Sequence, residues 1–232
     1  MKISPIALLT TALALAAAGS PALAGGFPSI AMSGGYASVF GGYALGTTLS
    51  GSVNTTPTAG TLSIPLSGGY NIGATVGAEF FPNLRGEVEL SFSGHAASGT
   101  ATAIVGGTTT TITTSGNVST AYLLGNIWYD VDTGSPFTPY VGAGLGLANI
   151  TPNLTLATGG GSFSYQTSSL SLAGQFGAGV KFKVADSVSL DLGYRLKDVV
   201  NGSLAATPSS NPTLSSATYV DQSIQLGVLF HF

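Results

Sequence analysis

Charged side chains are scarce in this sequence, and several of them stand at every second position of a short segment. Six of the 232 residues are Lys or Arg, and nine are Asp or Glu. In the segment LRGEVELSF, Arg85, Glu87 and Glu89 alternate with apolar residues or glycine. Alternate side chains of a β-strand point to the same face. The pattern therefore predicts opposite charges on one face, where they can form ion pairs.

The same alternation predicts one charged interior that several segments share. Its ion-pair candidates are Glu79, Arg85, Glu87, Glu89, Lys181, Asp191, Arg195 and Asp221. Two roles suit such an interior: an ion-conducting lumen, or a network of ion pairs that fills the space. Both signs are available to pair, which favours the network. Breaking one such pair would cost about 3 to 5 kcal/mol if the pair is buried.

Hydrolytic chemistry has few candidate residues. Barrel enzymes that modify lipids need a nucleophile with a base, typically Ser and His with a carboxylate. The only histidines are His95 and His231, and the predicted register puts them at opposite ends of the molecule. We therefore predict no catalytic residues and no enzymatic activity. Of the three functions considered for this chain, a lipid-modifying enzyme is the least favoured.

The sequence does not indicate a cofactor or a nucleic-acid site. In VGAGLGLANI, the glycines at 142, 144 and 146 have the spacing of a strand face, unlike the G-x-G-x-x-G fingerprint that precedes a helix. Cysteine is absent, so neither a disulfide framework nor a cysteine-based metal site is available. The formal net charge is −3, and no basic patch suits nucleic acid. We predict no cofactor, no metal and no nucleic-acid partner.

The elements that would position the charged face are strands, because the hydrophobic period is two rather than 3.6. The C-terminal segment SIQLGVLFHF, for example, has apolar residues at every second position from Ile224 to Phe232. Eight such segments are predicted at approximately 35–48, 67–81, 84–96, 117–130, 138–150, 167–183, 187–199 and 218–232.

The connections between these segments alternate between two kinds. Short turns are predicted at 81–83, 131–137 and 184–187. Long loops rich in Ser, Thr, Gly, Asn and Pro are predicted at 49–66, 97–116, 151–166 and 200–217. An even number of strands with short turns on one side and long loops on the other is typical of an outer-membrane barrel. The predicted fold is all-β: an eight-stranded antiparallel transmembrane up-and-down β-barrel.

The direction of the apolar face separates this fold from a soluble, lipocalin-like barrel, which has its apolar residues inside. A soluble barrel needs a charged exterior, but only 6% of the residues are charged. In hydrocarbon, by contrast, the sheet must close on itself and its apolar face must meet lipid. We therefore predict that Ile224 to Phe232 face lipid, with Phe230 and Phe232 in an aromatic girdle near the periplasmic interface.

The N-terminus has the features of a secretory signal peptide. MKISPIALLTTALALAAAGSPALA combines a cation at Lys2 with a short apolar stretch and small residues at Ala22 and Ala24. A membrane anchor is the alternative, but the apolar stretch is short for spanning. We predict a signal peptide at 1–24 and a barrel domain at 25–232.

Three stretches carry a resemblance to a known family: NIWYDVDTGSPFTPYVGAGLG, LDLGYRL and the C-terminal LGVLFHF. The sequence resembles the small outer-membrane β-barrel superfamily of Gram-negative bacteria, in particular opacity-porin-like and rickettsial-type surface antigens. The matching positions are Asn126, Tyr129, Asp130, Pro139, Tyr140, Gly142, Gly144, Gly146, Asp191, Gly193, Tyr194, Arg195 and Phe232. The resemblance implies eight strands, a periplasmic N-terminus, surface-exposed long loops, and a terminal aromatic signal, Phe230 and Phe232, for the barrel-assembly machinery.

The predicted function is that of a surface protein in the outer membrane of a Gram-negative bacterium. Its role is structural or interactive, through four long extracellular loops that could contact a host or matrix ligand, with outer-membrane lipid as a partner. The alternative is a narrow porin-like channel for small solutes. TTTTITT, residues 108–114, is predicted to extend the strands above the membrane rather than to form an adhesive loop.

Overall fold

The computed structural model describes most of the chain as β-strand. It describes residues 33–55, 58–159, 161–204, 206–207 and 213–232. The predicted signal peptide, residues 1–24, lies outside the described residues. Within the described ranges, no helix has the length and apolarity to cross a membrane.

Twelve strands are described. They are β1 (Ser33–Ala44), β2 (Thr47–Thr55), β3 (Thr58–Leu66), β4 (Gly69–Phe81), β5 (Leu84–Val105), β6 (Thr108–Asp130), β7 (Phe137–Thr158), β8 (Gly161–Tyr165), β9 (Ser169–Ala185), β10 (Val188–Leu204), β11 (Ala206–Thr207) and β12 (Leu214–His231). The eight longest strands, β1, β4, β5, β6, β7, β9, β10 and β12, correspond to the eight predicted segments.

These eight strands pair in an up-and-down order, and every pairing is antiparallel. β1 pairs with β4, and the ladder continues through β5, β6, β7, β9 and β10 to β12. β12 also pairs with β1, with Tyr36 opposite His231 at one end of the ladder and Ala44 opposite Ser223 at the other. The first and last long strands are therefore neighbours.

The four connections predicted as long loops are instead largely strand, which corrects that part of the sequence analysis. All the described residues of 49–66 lie in the β2–β3 hairpin, and β5 and β6 continue through residues 97–116 to a turn at Gly106 and Gly107. Both glycines have positive φ, as a two-residue hairpin turn requires. Residues 151–166 and 200–217 include parts of β7, β8, β10, β11 and β12. The TTTTITT segment lies within β6, as predicted. Threonine favours strands, so a Ser/Thr-rich composition did not identify irregular structure here.

Along one half of the long strands, apolar side chains point outward. On the last strand, Leu226 is 67% exposed and Phe232 is 79% exposed, which places the predicted apolar face on the outside. We call the outward apolar surface the apolar belt. Its large exposed members include Val39, Ile72, Val76, Val88, Leu123, Ile127, Val141, Leu145, Phe176, Leu192 and Leu226.

The height of the apolar belt matches the hydrocarbon layer of an outer membrane. On β7 its exposed apolar residues extend from Phe137 to Leu147. With about 3.3 Å of rise per residue and a strand tilt of about 40°, this stretch spans about 25 Å, the height of the apolar band in outer-membrane barrels. Exposed Tyr43 and Tyr70 lie at one rim, and exposed Phe81, Phe137 and Phe232 lie at the other.

Beyond the belt, the same strands have their apolar side chains on the inner face and their polar side chains on the outer face. We call this reversal the exchange of faces. On β7, Leu154 and Leu156 are fully buried. The residues that precede them, Asn153 and Thr155, are exposed. The inner side chains of this region form one cluster, which we call the apolar core: Leu49, Val53, Leu62, Ile64, Leu66, Ala97, Ala101, Ile112, Val118, Tyr122, Leu124, Ala148, Ile150, Leu154, Leu156, Tyr165, Ala173, Val199, Leu204, Leu214, Ala217 and Tyr219. A sheet that stands in water must bury its apolar face, and in this half of the molecule the apolar side chains are the buried ones.

Candidate functional site

The inner face within the apolar belt is charged, and Arg85 lies at its centre near the turn end. The Arg85 guanidinium lies 3.1 Å from Asp130 and 3.4 Å from Glu87, and it donates a hydrogen bond to the Tyr36 hydroxyl at 2.7 Å. Lys181 contacts the other oxygen of Asp130 at 2.6 Å. Strand alternation brings these side chains together, because they point inward from four strands, β1, β5, β6 and β9.

Arg195 forms a second group of contacts on the same face. Its guanidinium donates to the Tyr140 hydroxyl at 2.9 Å and lies 4.4 Å from the centre of the Trp128 ring. Asp191 is more distant, at 3.9 Å, and accepts a hydrogen bond from Tyr140 at 3.0 Å. Arg195 is therefore held by aromatic stacking and by Tyr140 as well as by the carboxylate.

A third group surrounds Glu89, which is buried. Lys197 contacts Glu89 at 2.6 Å and donates to Ser91 at 2.7 Å. Asn126 and Gln175 donate amide hydrogen bonds to the second oxygen of Glu89, at 3.1 and 3.0 Å. A buried carboxylate with this many donors has its charge compensated in place.

Glycines on the facing strands make room for these large side chains. A Cβ atom on Gly177 would lie 2.7 Å from Arg195 and 3.0 Å from the Trp128 ring. A Cβ on Gly142 would overlap the Trp128 ring, and one on Gly144 would overlap Asn126. The VGAGLG glycines thus line the inner face, where they accommodate the indole and amide groups that lie opposite.

A histidine–carboxylate contact lies where the charged interior meets the apolar core. His95 and Asp221 are both almost completely buried, and His95 Nε2 lies 3.5 Å from Asp221 Oδ1. His95 Nδ1 lies 3.0 Å from the Ser67 carbonyl oxygen, and the Tyr122 hydroxyl donates to Asp221 at 3.1 Å. His95 follows Gly94 beyond the rim tyrosine Tyr70, so the contact lies outside the belt.

The structure places the predicted ion-pair candidates as follows. Arg85, Glu87, Glu89, Arg195 and Asp221 are buried, and Lys181 and Asp191 are half-buried. Glu79 is exposed at the rim, outside the groups described above.

Three participants were not among those candidates: Asp130, Lys197 and His95. The alternation could have identified Asp130, which stands two residues after Trp128, and Lys197, which stands two residues after Arg195. The alternation also places His95 on this face, six residues after Glu89, but its contact with Asp221 had no signal, because the two residues lie on strands distant in sequence.

Other chemistry has little geometric support in the part of the chain that is described. No three His, Asp or Glu side chains there converge as a metal site would require. The Ser189 hydroxyl lies 3.1 Å from His231 Nε2 at the turn end. No carboxylate of the described residues lies within 4.0 Å of the His231 ring nitrogens. His95 and His231 lie at opposite ends of the strands, as the register predicted.

A small cavity lies between the charged groups of the interior. A cavity of about 20 Å³ is lined by residues that include Arg85, Glu87, Glu89, Asp191 and Arg195. This volume admits about one water molecule.

The C-terminal aromatic residues lie at the rim of the belt. Phe230 and Phe232 are exposed on the outer face. The Phe232 backbone N–H donates to the Gly35 carbonyl at 2.9 Å, and its ring lies against Gly35, where a Cβ would come within 2.8 Å. The chain end is therefore fixed to the first strand.

Comparison with known proteins gives matches of one kind. A family model described as "Outer membrane protein beta-barrel domain" matches residues 10–232. The outer membrane protein PagN of Salmonella typhimurium is 29% identical over 142 residues, which are 58% of this chain and 59% of PagN. The match thus spans less than two thirds of that relative's length.

Two solved structures are among the matches. The outer membrane protease OmpT of Escherichia coli has a TM-score of 0.51 and 10% identity, over 89% of this chain and 99% of OmpT. Neisserial surface protein A has a TM-score of 0.49 and 18% identity, over 85% of this chain and 97% of that protein. Identities this low bear on the fold alone.

Proposed function

Since this chain belongs to the outer membrane β-barrel family and resides in the outer membrane of a Gram-negative bacterium, we propose that it is a non-conducting surface protein. In this proposal the eight long strands form one closed transmembrane barrel. Their extensions beyond the membrane form a rigid extracellular sheet that contacts other molecules. Its partners are outer-membrane lipid, the barrel-assembly machinery and a host or matrix ligand.

The pairing of β1 with β12 supports a closed barrel. Nine residue pairs join the two strands, from Tyr36–His231 to Ala44–Ser223. Lipid offers no hydrogen-bond partner, so an open sheet edge at this depth would leave several backbone groups unsatisfied, each at a cost of several kcal/mol. Closure removes that cost.

The observation that carries the proposal is the exchange of faces along the strands. Within the belt the interior is filled by paired charges, and beyond the belt it is filled by the apolar core. An ion that crossed the molecule would have to pass both fillings, and the apolar core offers it no solvation. The extracellular half is thus a packed sheet rather than the mouth of a pore.

The exterior of the extracellular sheet indicates the kind of contact it would make. Along β5 and β6, its outward positions are hydroxyl and amide residues such as Thr100, Thr113 and Asn117, all of which are exposed. Between Arg85 and Lys181 the sequence contains no lysine or arginine. We therefore propose that recognition uses hydrogen bonds and shape rather than charge.

A non-enzymatic role is part of the proposal, although OmpT is a protease. The buried position of His95 supports this role, because substrate cannot reach that imidazole without opening the apolar core. Ser189 and His231 lack a carboxylate partner among the described residues, so their contact does not form a catalytic triad. Incubation with labelled lipopolysaccharide or phospholipid would reveal a lipid-modifying activity by a change in the label's mobility.

Single-channel recording on refolded protein tests the sealed interior against the alternative, a narrow porin-like channel. We expect the baseline current to stay free of stable ohmic steps in planar bilayers, with a known porin as the positive control. Reproducible steps would favour the channel and would contradict the proposal.

Shortening the β5–β6 hairpin tests the extracellular contact. Gly99 pairs with Thr114, so replacing residues 100–113 by a two-residue turn keeps the register of the remaining ladder. We expect the variant to keep its heat-modifiable gel mobility and to lose adhesion to host cells or matrix. A matched variant with Ile104 and Thr109 exchanged, a cross-strand pair whose two residues are exposed, keeps the length and the composition and should adhere normally. Unchanged adhesion of the shortened variant would exclude this hairpin as the contact surface.

A further inference from the structure

The surroundings of the His95 ring favour a proton on each ring nitrogen. A carbonyl oxygen only accepts, so the 3.0 Å contact with Ser67 requires a proton on His95 Nδ1. The other nitrogen, Nε2, lies 3.5 Å from an oxygen of Asp221. An ionised carboxylate also only accepts. A neutral ring would therefore direct a lone pair at the carboxylate, whereas an imidazolium donates to the Ser67 carbonyl and presents a positive charge to Asp221.

The balance of charge on the inner face points to the same state. The inward cations of the described residues are Arg85, Lys181, Arg195 and Lys197. The inward anions are Glu87, Glu89, Asp130, Asp191 and Asp221. Among these buried and half-buried groups, four cations thus face five anions, and a protonated His95 makes their balance even; Glu79, opposite Arg85, is exposed to solvent at the rim. An uncompensated charge in a closed interior is costly.

His95 also contacts two separate parts of the molecule, the base of the β2–β3 hairpin and strand β12. Ser67, which accepts its hydrogen bond, lies at the base of the β2–β3 hairpin, and the Ser67 N–H donates to the Ala96 carbonyl at 2.8 Å. That hairpin contributes Leu49 and Ile64 to the apolar core, and both are fully buried. The His95 ring therefore connects the base of the extracellular hairpin to Asp221 on β12.

We propose that His95 is held as an imidazolium and, paired with Asp221, fastens the base of the β2–β3 hairpin, so that loss of this proton loosens the extracellular apolar core. The groups that face it are few. β12 presents Asp221 and Tyr219, with the Tyr219 ring edge-on at 6.3 Å. β6 presents Tyr122, and β10 presents Lys197, which lies 4.7 Å from the Tyr122 ring. β2 and β3 contain no charged residue.

The direction of the pKa shift agrees with this arrangement. Burial alone would lower the pKa of His95, but Asp221 and the Ser67 carbonyl outweigh burial and raise it above the ordinary 6.5. A group with a raised folded pKa stabilises fully below its unfolded pKa and loses that contribution as pH rises through the folded value. The fastening therefore weakens above about pH 6.5. For each pKa unit by which folding raises the His95 value, the ratio of the fastened to the loosened form changes about tenfold.

Nuclear magnetic resonance of ¹⁵N-histidine protein refolded in micelles tests the protonation state without any substitution. We expect both ring nitrogens of His95 to show imidazolium shifts at pH 6 and to titrate only above the ordinary histidine range. His231→Gln removes the second histidine and assigns the signals. A neutral His95 ring at pH 6 would overturn the proposal.

Hydrogen exchange tests the fastening itself. In the wild-type protein, protection factors of the β2–β3 amides should fall at least tenfold between pH 6 and pH 9, and His231→Gln should behave in the same way. His95→Gln should show low protection at both pH values. A pH-dependent loss of protection that persists in His95→Gln would assign the effect to another group.

Discussion

At the scale of single residues, the nearest contact of a buried charge is not always its oppositely charged partner. Arg195 illustrates this, because its hydrogen bond to Tyr140 is shorter than its contact with Asp191, 2.9 Å against 3.9 Å. The alternation in the sequence placed Arg195 and Asp191 on one face. It gave no indication that an aromatic cage, Trp128 and Tyr140, would be the nearer contact, because cross-strand register is not visible in one segment.

Replacing Arg195 by alanine should lower the stability of the barrel without preventing its assembly. The substitution removes the cation that compensates Asp191 and empties the space against Trp128, so we expect a cost of about 3 to 5 kcal/mol. The temperature at which the folded gel band disappears should fall. Lys183→Ala is the matched control: Lys183 contacts Asp186 at 2.9 Å in solvent, and exposed pairs contribute little. Equal transition temperatures for the two variants would contradict a buried role for Arg195.

Phe232 is expected to act during assembly as well as in the finished fold. Phe232→Ala should slow folding into membranes in the presence of the assembly machinery, because the terminal aromatic is the proposed signal. Phe137→Ala, at another exposed rim position, controls for the loss of an aromatic ring as such. If both variants accumulate folded protein at the wild-type rate, Phe232 is not the signal.

At the scale of elements, the strands were predictable and their extensions were not. The eight segments could be identified because apolar and polar residues alternate within the belt. Beyond the belt the alternation continues with Ser and Thr as its polar half, as in β6, where Ile112 is buried and Thr111 and Thr113 are exposed. Those residue types also occur in loops, so composition suggested irregular connections where the structure has a sheet.

The exchange of faces predicts that an arginine introduced on the outer face of β7 has different effects within the belt and beyond it. Leu145 is 77% exposed within the belt, so Leu145→Arg puts a charge against lipid and should cost about 2 to 4 kcal/mol. Thr155→Arg, ten positions later on the same exposed face of β7, meets water and should cost almost nothing. Folding yield into vesicles at increasing urea concentrations measures the difference. Equal costs would show that the membrane boundary lies elsewhere.

At the scale of the whole molecule, the decisive contact is the one between the two ends of the strand order. Its residues come from opposite ends of the described chain, with Val39 opposite Val228. The sequence suggested that the sheet closes because lipid forbids an open edge. The partner residues depend on the stagger of all eight strands, which no single strand encodes.

Closure can be tested with a pair of cysteines, since the natural chain has none. In the variant with Val39→Cys and Val228→Cys, a disulfide should form in the folded protein and change its gel mobility under non-reducing conditions. Val39→Cys with Leu190→Cys, on a strand that does not pair with β1, should remain reduced. Failure of the first pair to cross-link, with the protein folded, would contradict the proposed ring of strands.

The scarcity of lysine and arginine in the extracellular sheet also determines how the protein responds to trypsin. The chain has no lysine or arginine between residues 85 and 181, and Lys197, which pairs with Asp221 beyond the belt, is buried. Digestion of intact bacteria would therefore leave this sheet uncut. Mass spectrometry of the tryptic fragments would have to detect one very large peptide, from residue 86 to 181, so surveys of surface proteins by this route would tend to overlook this protein.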